Sequence, residues 1–154
     1  MNWMKKVAVA LVCLLPLGLQ AAKIDTLQVK SPSMNKSIEV VVVSPDVAAT
    51  KACPVIYLLH GYGGNACTWV GIKPDLPKIA DEKGIFFVCP DGKNTWYWDS
   101  PLNADVRYET FISNELVKYV DSHYKTVADR KGRAITGLSM GGHGAMWNGL
   151  RHSD

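Results

Sequence analysis

The feature that most limits what this chain can become is the hexapeptide Gly137-Leu138-Ser139-Met140-Gly141-Gly142. It follows the short apolar run Arg133-Ala134-Ile135-Thr136 and opens into Gly144-Ala145-Met146-Trp147, which reads as the start of a helix. A G-x-S-x-G turn between a buried strand and a helix is the pattern of a nucleophile elbow. Such a turn is tight enough to strain the serine backbone and to lift its hydroxyl above the sheet edge. Side chains two residues either side would run into the neighbouring strand and helix, so Gly137 and Gly141 supply clearance. The bland alternative is a glycine-rich connection with an incidental serine. The flanking strand and helix weigh against it.

The rest of the chain supplies a frame for that turn. Lys23 to Lys30 and Ser37 to Ser44 read as two strands, the second rich in β-branched residues, joined through Ser31-Pro32-Ser33-Met34-Asn35-Lys36 as a hairpin. Pro54 to Leu59 is a continuous apolar run, as expected of a strand covered on both faces, and it leads straight into His60-Gly61-Tyr62-Gly63-Gly64. A helix is expected over Asp75 to Lys83, stopped by Gly84, and a second buried strand over Ile85 to Cys89. Lys93 to Arg107 reads as a polar loop carrying Trp96, Tyr97 and Trp98. The spacing of Phe111, Ile112, Leu116, Tyr119 and Val120 predicts an amphipathic helix over Tyr108 to Tyr124, with Glu115 as a polar intruder. Alternating strands and helices imply a wound, mostly parallel sheet with its ligand site at the strand carboxyl ends. The His60 loop, the Pro90 to Ser100 segment and the elbow all fall there.

Composition narrows the classes. Residues Met1 to Ala22 have the order of a secretory signal: Lys5 and Lys6, the apolar run Val7 to Leu15, then small residues at Ala21 and Ala22. That apolar run is short for a membrane span, which needs about 20 residues. A secreted or periplasmic product without a stable membrane anchor is expected. Without Lys5 and Lys6, the 17 basic residues become 15 against 14 acidic ones, a net of +1, and no basic stripe marks a nucleic-acid surface. Export permits disulfides, but Cys53, Cys67 and Cys89 are odd in number, so at most one internal pair is open to them. No cysteine or histidine pair has zinc spacing, and neither a metal nor a cofactor is expected.

A serine hydroxyl attacks well only if a base takes its proton and donors hold the developing oxyanion. The backbone N–H of Met140, at the helix start, is one expected donor, and that of Tyr62, in the glycine-rich loop, is the other. The base is harder to find. His143 lies one turn along the elbow helix and points along it, His152 and Asp154 lie at its far end, and His123 ends a helix outside the sheet. His60 is expected to hydrogen-bond backbone and shape its loop.

Together Leu58-Leu59-His60-Gly61-Tyr62-Gly63-Gly64, Pro90-Asp91-Gly92, Trp96-Tyr97-Trp98-Asp99-Ser100, Tyr108-Glu109-Thr110 and Gly137 to Ala145 resemble the esterase D family. That family includes tributyrin esterases, S-formylglutathione hydrolases, feruloyl and acetyl-xylan esterases and the antigen 85 mycolyltransferases. The resemblance implies an α/β-hydrolase fold, Ser139 as nucleophile, donors at Tyr62 and Met140, and an aspartate and histidine supplied from a C-terminal half. Residues 23–154 are accordingly expected to be the N-terminal portion of such a domain, cut after the elbow helix. The strand at Arg133 to Thr136 would then be an unprotected edge prone to aggregation.

Trp96 and Trp98 are candidate walls for an acyl or aromatic group, with at least one of the three adjacent aromatics expected either in the core or as a lid on the loop. Asp99 and Ser100 are candidates either to anchor a polar substrate group or to cap the loop, and Glu109 to fix that loop through backbone N–H groups. The expected substrate is a short-chain acyl or carbohydrate (acetyl or feruloyl) ester. Acyl transfer of the antigen 85 type and a non-catalytic binding relative are the alternatives. Oligomeric state is left open.

Overall fold

The computed structural model describes residues 22–153. The leader expected over Met1 to Ala22 lies, but for Ala22, outside the described residues. Five strands form one mixed sheet: β1 (Lys23–Ser31), β2 (Lys36–Ser44), β3 (Val55–Leu59), β4 (Phe86–Pro90) and β5 (Arg133–Gly137), in the order β1-β2-β4-β3-β5. The hairpin β1–β2 is antiparallel and joins the sheet through an antiparallel β2–β4 pairing, while β4, β3 and β5 run parallel.

Period-two alternation splits the strands between two cores, one on each face. Val40, Val42, Val55, Tyr57, Leu59, Phe86 and Val88 pack on one face with Phe111, Ile112, Leu116, Val120 and Met140. Val41, Val43, Leu58, Phe87 and Cys89 pack on the other with Leu76 and Ala80. The helices behind these faces are α1 (Thr68–Ile72), α2 (Leu76–Lys83), α3 (Tyr108–Thr110), α4 (Val117–His123) and α5 (Met140–Arg151). Among the described residues no helix is long and apolar enough to cross a membrane.

The helix expected over Tyr108 to Tyr124 forms with a π-helical stretch, Phe111–Leu116, between α3 and α4. Glu115 sits in it with a purpose that periodicity alone does not reveal. Its carboxylate accepts from the Ser31 hydroxyl (2.6 Å) and the Ser33 N–H (2.8 Å), tying the hairpin turn to the helix. The short helix α1 goes unforeseen in the sequence because Trp-Val-Gly-Ile, at its centre, is poor helix-forming material. The three cysteines among the described residues are free, Cys53 and Cys89 buried and Cys67 exposed.

Candidate active site

Register brings the carboxyl ends of the parallel strands to one level. Leu59 pairs with Gly137, and Tyr57, two residues earlier, with Val88. The His60 loop, the Asp91 loop and the elbow therefore leave the sheet side by side.

The elbow has the strain its sequence implies. Ser139 takes φ 50° and ψ −114°, outside the comfortable regions for an L-residue, at a cost of order 1–3 kcal/mol. It occupies the N-cap position of α5, where a serine ordinarily accepts from the first-turn N–H groups. Here the side chain makes no capping bond, and the residue is exposed. The glycines explain how the turn closes. A methyl group on Gly141 would lie 2.2 Å from the Leu59 carbonyl oxygen, and one on Gly137 2.4 Å from the Gly141 carbonyl carbon. Neither backbone can retreat, so no larger residue fits.

The His60 loop is aimed by hydrogen bonds. The Gly61 carbonyl accepts from His60 Nδ1–H (2.7 Å) and from the Gly64 N–H (3.0 Å). Because a peptide unit is planar and trans, fixing that carbonyl directs the N–H on its other side, which belongs to Tyr62, the opposite way. Among the described residues no acceptor meets the N–H of Tyr62 or of Met140. Gly61 lies against the elbow: a methyl group on it would stand 3.4 Å from the Leu138 carbonyl oxygen and 3.6 Å from Ser139 Cβ.

His60 is itself locked. It is 1% exposed, and its Nε2 accepts the Gly92 N–H at 2.9 Å. With Nδ1 donating and Nε2 accepting, the ring is neutral, and the 3.4 Å approach of Asp91 Oδ1 to Nε2 is no ion pair in this tautomer. Burial raises the pKa of the Asp91 carboxyl, but hydrogen bonds from the Lys93 backbone and ammonium outweigh burial and hold it below its ordinary range.

Of the three adjacent aromatics, the middle one is core. Tyr97 is fully buried, with its ring between Gly92 and Gly144 and its hydroxyl donating to the His60 carbonyl (3.2 Å). Trp96 and Trp98 are 46% and 42% exposed. Helix α5 grips this loop. His143 Nδ1 donates to the Trp96 carbonyl (3.0 Å), and Asn148 Nδ2 donates to the Tyr97 carbonyl (3.1 Å). The rings of His143 and Trp96 meet edge to face at 5.4 Å. Since His143 stands one turn from Ser139 (its N–H donates to the Ser139 carbonyl at 3.1 Å), Trp96 is held beside the elbow.

Other candidates take different places. Both Asp99 oxygens turn to Thr110, accepting its N–H (3.0 Å) and its hydroxyl (2.5 Å), and Ser100 Oγ accepts from the Leu102 and Asn103 N–H groups. Both therefore perform the loop-closing role, one of the two the sequence left open. The expected role of Glu109 is corrected: it accepts not from the Trp loop but from Trp147 Nε1 (2.6 Å), Arg151 Nε (2.7 Å) and His152 Nε2 (2.8 Å). It is thus the anchor of the far end of α5. No histidine ring among the described residues bonds to Ser139: His60 and His143 are engaged as above, His123 Nδ1 meets the Tyr119 carbonyl, and His152 meets Glu109. Asn94, whose Oδ1 accepts the Gly63 N–H at 2.7 Å, goes unsignalled in the sequence, as one polar residue in a polar loop.

Comparison with known proteins bears on family and fold. An acetyl esterase of Caldicellulosiruptor saccharolyticus is 32% identical over 99 residues, covering 64% of this chain and 36% of the relative. Among solved structures, a ferulic acid esterase matches with a TM-score of 0.75 at 32% identity, over 87% of this chain and 55% of its own. An S-formylglutathione hydrolase from Agrobacterium tumefaciens matches with a TM-score of 0.75 at 25% identity, over 85% and 54%. The chain spans about half the length of these solved relatives. The fold is that of the α/β-hydrolases, and with the Esterase family matching residues 31–154, the chain belongs to that family.

Proposed function

We propose that this chain carries the nucleophile and the oxyanion donors of a secreted or periplasmic serine carboxylic-ester hydrolase. Ser139 Oγ attacks the ester carbonyl, the N–H groups of Tyr62 and Met140 hold the oxyanion, and collapse expels the alcohol to leave an acyl-enzyme that water then hydrolyses. The observation that carries the reading is the unused hydroxyl: a strained, exposed serine at a helix N-cap that caps nothing, beside two backbone N–H groups without acceptors among the described residues. On this reading the general base and its orienting acid come from outside the described residues. Trp96 and Trp98 wall the acyl side, which suits the acetyl and feruloyl esters suggested by the names of two relatives. Export rests on the leader pattern in the first 22 residues.

The test is a fluorophosphonate probe applied to the protein at its natural length. Labelling that disappears in Ser139→Ala, together with loss of p-nitrophenyl acetate hydrolysis, is expected. Label retained by Ser139→Ala would reject the serine.

A further inference from the structure

The oxyanion donor assigned to Tyr62 is the middle of a three-peptide segment with no regular structure, so its aim needs an explanation. The peptide before Tyr62 is fixed through its carbonyl, by His60 and Gly64. The peptide after it is fixed through its N–H, which belongs to Gly63 and is held by Asn94 Oδ1 at 2.7 Å. Gly63 sits at φ 78°, where only a glycine rests easily. With both flanking planes fixed, the two torsions of Tyr62 have little freedom left.

Asn94 does not belong to that loop. It comes from the loop after β4, 31 residues on, between Asp91 and the aromatic residues. That loop is itself rigid: Lys93, Trp96 and Tyr97 all have positive φ, Thr95 Oγ1 donates to the Gly92 carbonyl (2.6 Å), and Tyr97 is buried. The link from Trp96 to Gly63 therefore runs through two residues of one stiff turn.

We infer that Asn94 is a positioning residue, which sets the Tyr62 oxyanion donor and couples it to the aromatic loop that faces substrate. The inference rests on the serine-hydrolase reading above and adds to it a group outside the reacting atoms. A positioning group of this kind acts on the transition state, where the oxyanion forms, and hardly on the bound ester.

The experiment compares Asn94→Ala with wild type and Ser139→Ala in the protein at its natural length. Asn94 is exposed, so the fold should survive, and a matching thermal melt checks this. In Asn94→Ala, kcat should fall about tenfold with KM within about twofold, less than the full loss of one oxyanion donor. Inhibition by an alkylboronic acid, whose adduct needs the oxyanion donors, should weaken by the same factor. The Gly63 amide should exchange with deuterium faster. Unchanged kcat, or KM rising at constant kcat, would overturn the inference, the second making Asn94 a substrate contact. If Ser139→Ala keeps its activity, the serine reading fails; if only the Asn94 result is negative, the positioning claim fails alone.

Discussion

Two ends of the same sheet treat their polar atoms in opposite ways. At the carboxyl ends of β3, β4 and β5, buried polar groups are paired across loops: His60 to Gly61 and Gly92, Tyr97 to His60, Asn148 Nδ2 to Tyr97. Along the outer flank of β5, a groove of about 460 Å³ runs beside Tyr57, Asp121, Arg133, Ile135 and Asn148. There the Tyr57 hydroxyl, Arg133 Nε and Asn148 Oδ1 are buried without partners among the described residues. Met146 and Leu150 are exposed on the adjoining helix, and among the described residues β5 pairs with β3 alone. Buried polar groups in a finished interior are almost always satisfied. The loops pair their buried polar atoms with one another, whereas the flank leaves three of its own without partners among the described residues.

The largest expected effect falls on the first region. Gly141→Ala places a methyl 2.2 Å from the Leu59 carbonyl oxygen, with backbone on both sides of the clash. A loss of about 4 kcal/mol, or no soluble product, is expected. Soluble yield and the urea midpoint measure it, and a variant within about 1 kcal/mol of wild type would mean that the elbow is loosely packed. His60→Ala comes next. It leaves the buried Gly92 N–H without an acceptor and opens a cavity between the loops, for a cost of about 2–3 kcal/mol by urea unfolding.

How much of this was legible in the sequence follows from where each constraint acts. The five strands and the elbow were readable because their signals are local: β-branched runs, and glycines two residues either side of Ser139. So was the backbone role of His60, next to glycines that needed shaping. What stayed hidden depended on partners distant in sequence. Glu109 lies 38 residues from Trp147 and 43 from His152, so nothing near it reveals that it anchors α5 rather than the Trp loop. Asn94 is hidden for the same reason, 31 residues from Gly63. The π-helical stretch at Phe111–Leu116 contains Glu115, whose partner Ser31 lies 84 residues away, and periodicity encodes neither.

Glu109 stands between the two regions, since His152, one of its donors, also lines the groove. Glu109 is 8% exposed, and burial alone would raise its pKa. Hydrogen bonds from Arg151, Trp147 and His152 outweigh that and hold it below the ordinary carboxylate range. A group with a depressed folded pKa contributes stability above its unfolded pKa and loses it as pH falls through the folded one. Glu109→Gln should therefore cost about 1–2 kcal/mol at neutral pH. The gap to wild type should close as pH drops below about 4. Urea unfolding at pH 7 and pH 3 checks it; a gap that is constant with pH would mean that the charge contributes nothing there.

The smallest effect is the one that separates the regions most cleanly, because its sign differs. Burial, and next the Asp121 carboxylate, push the Tyr57 phenol above its ordinary range, so it remains a hydroxyl at any working pH. That hydroxyl is desolvated and makes no hydrogen bond among the described residues. Removing an unpartnered buried polar group relieves a penalty instead of breaking a bond, so Tyr57→Phe in the 154-residue chain should stabilise by about 1 kcal/mol. The same deletion of one hydroxyl at Tyr97, which meets the His60 carbonyl, should cost about 1 kcal/mol. A cost for Tyr57→Phe in place of the gain would mean that the hydroxyl has a partner and that the contrast between the flank and the loops does not hold.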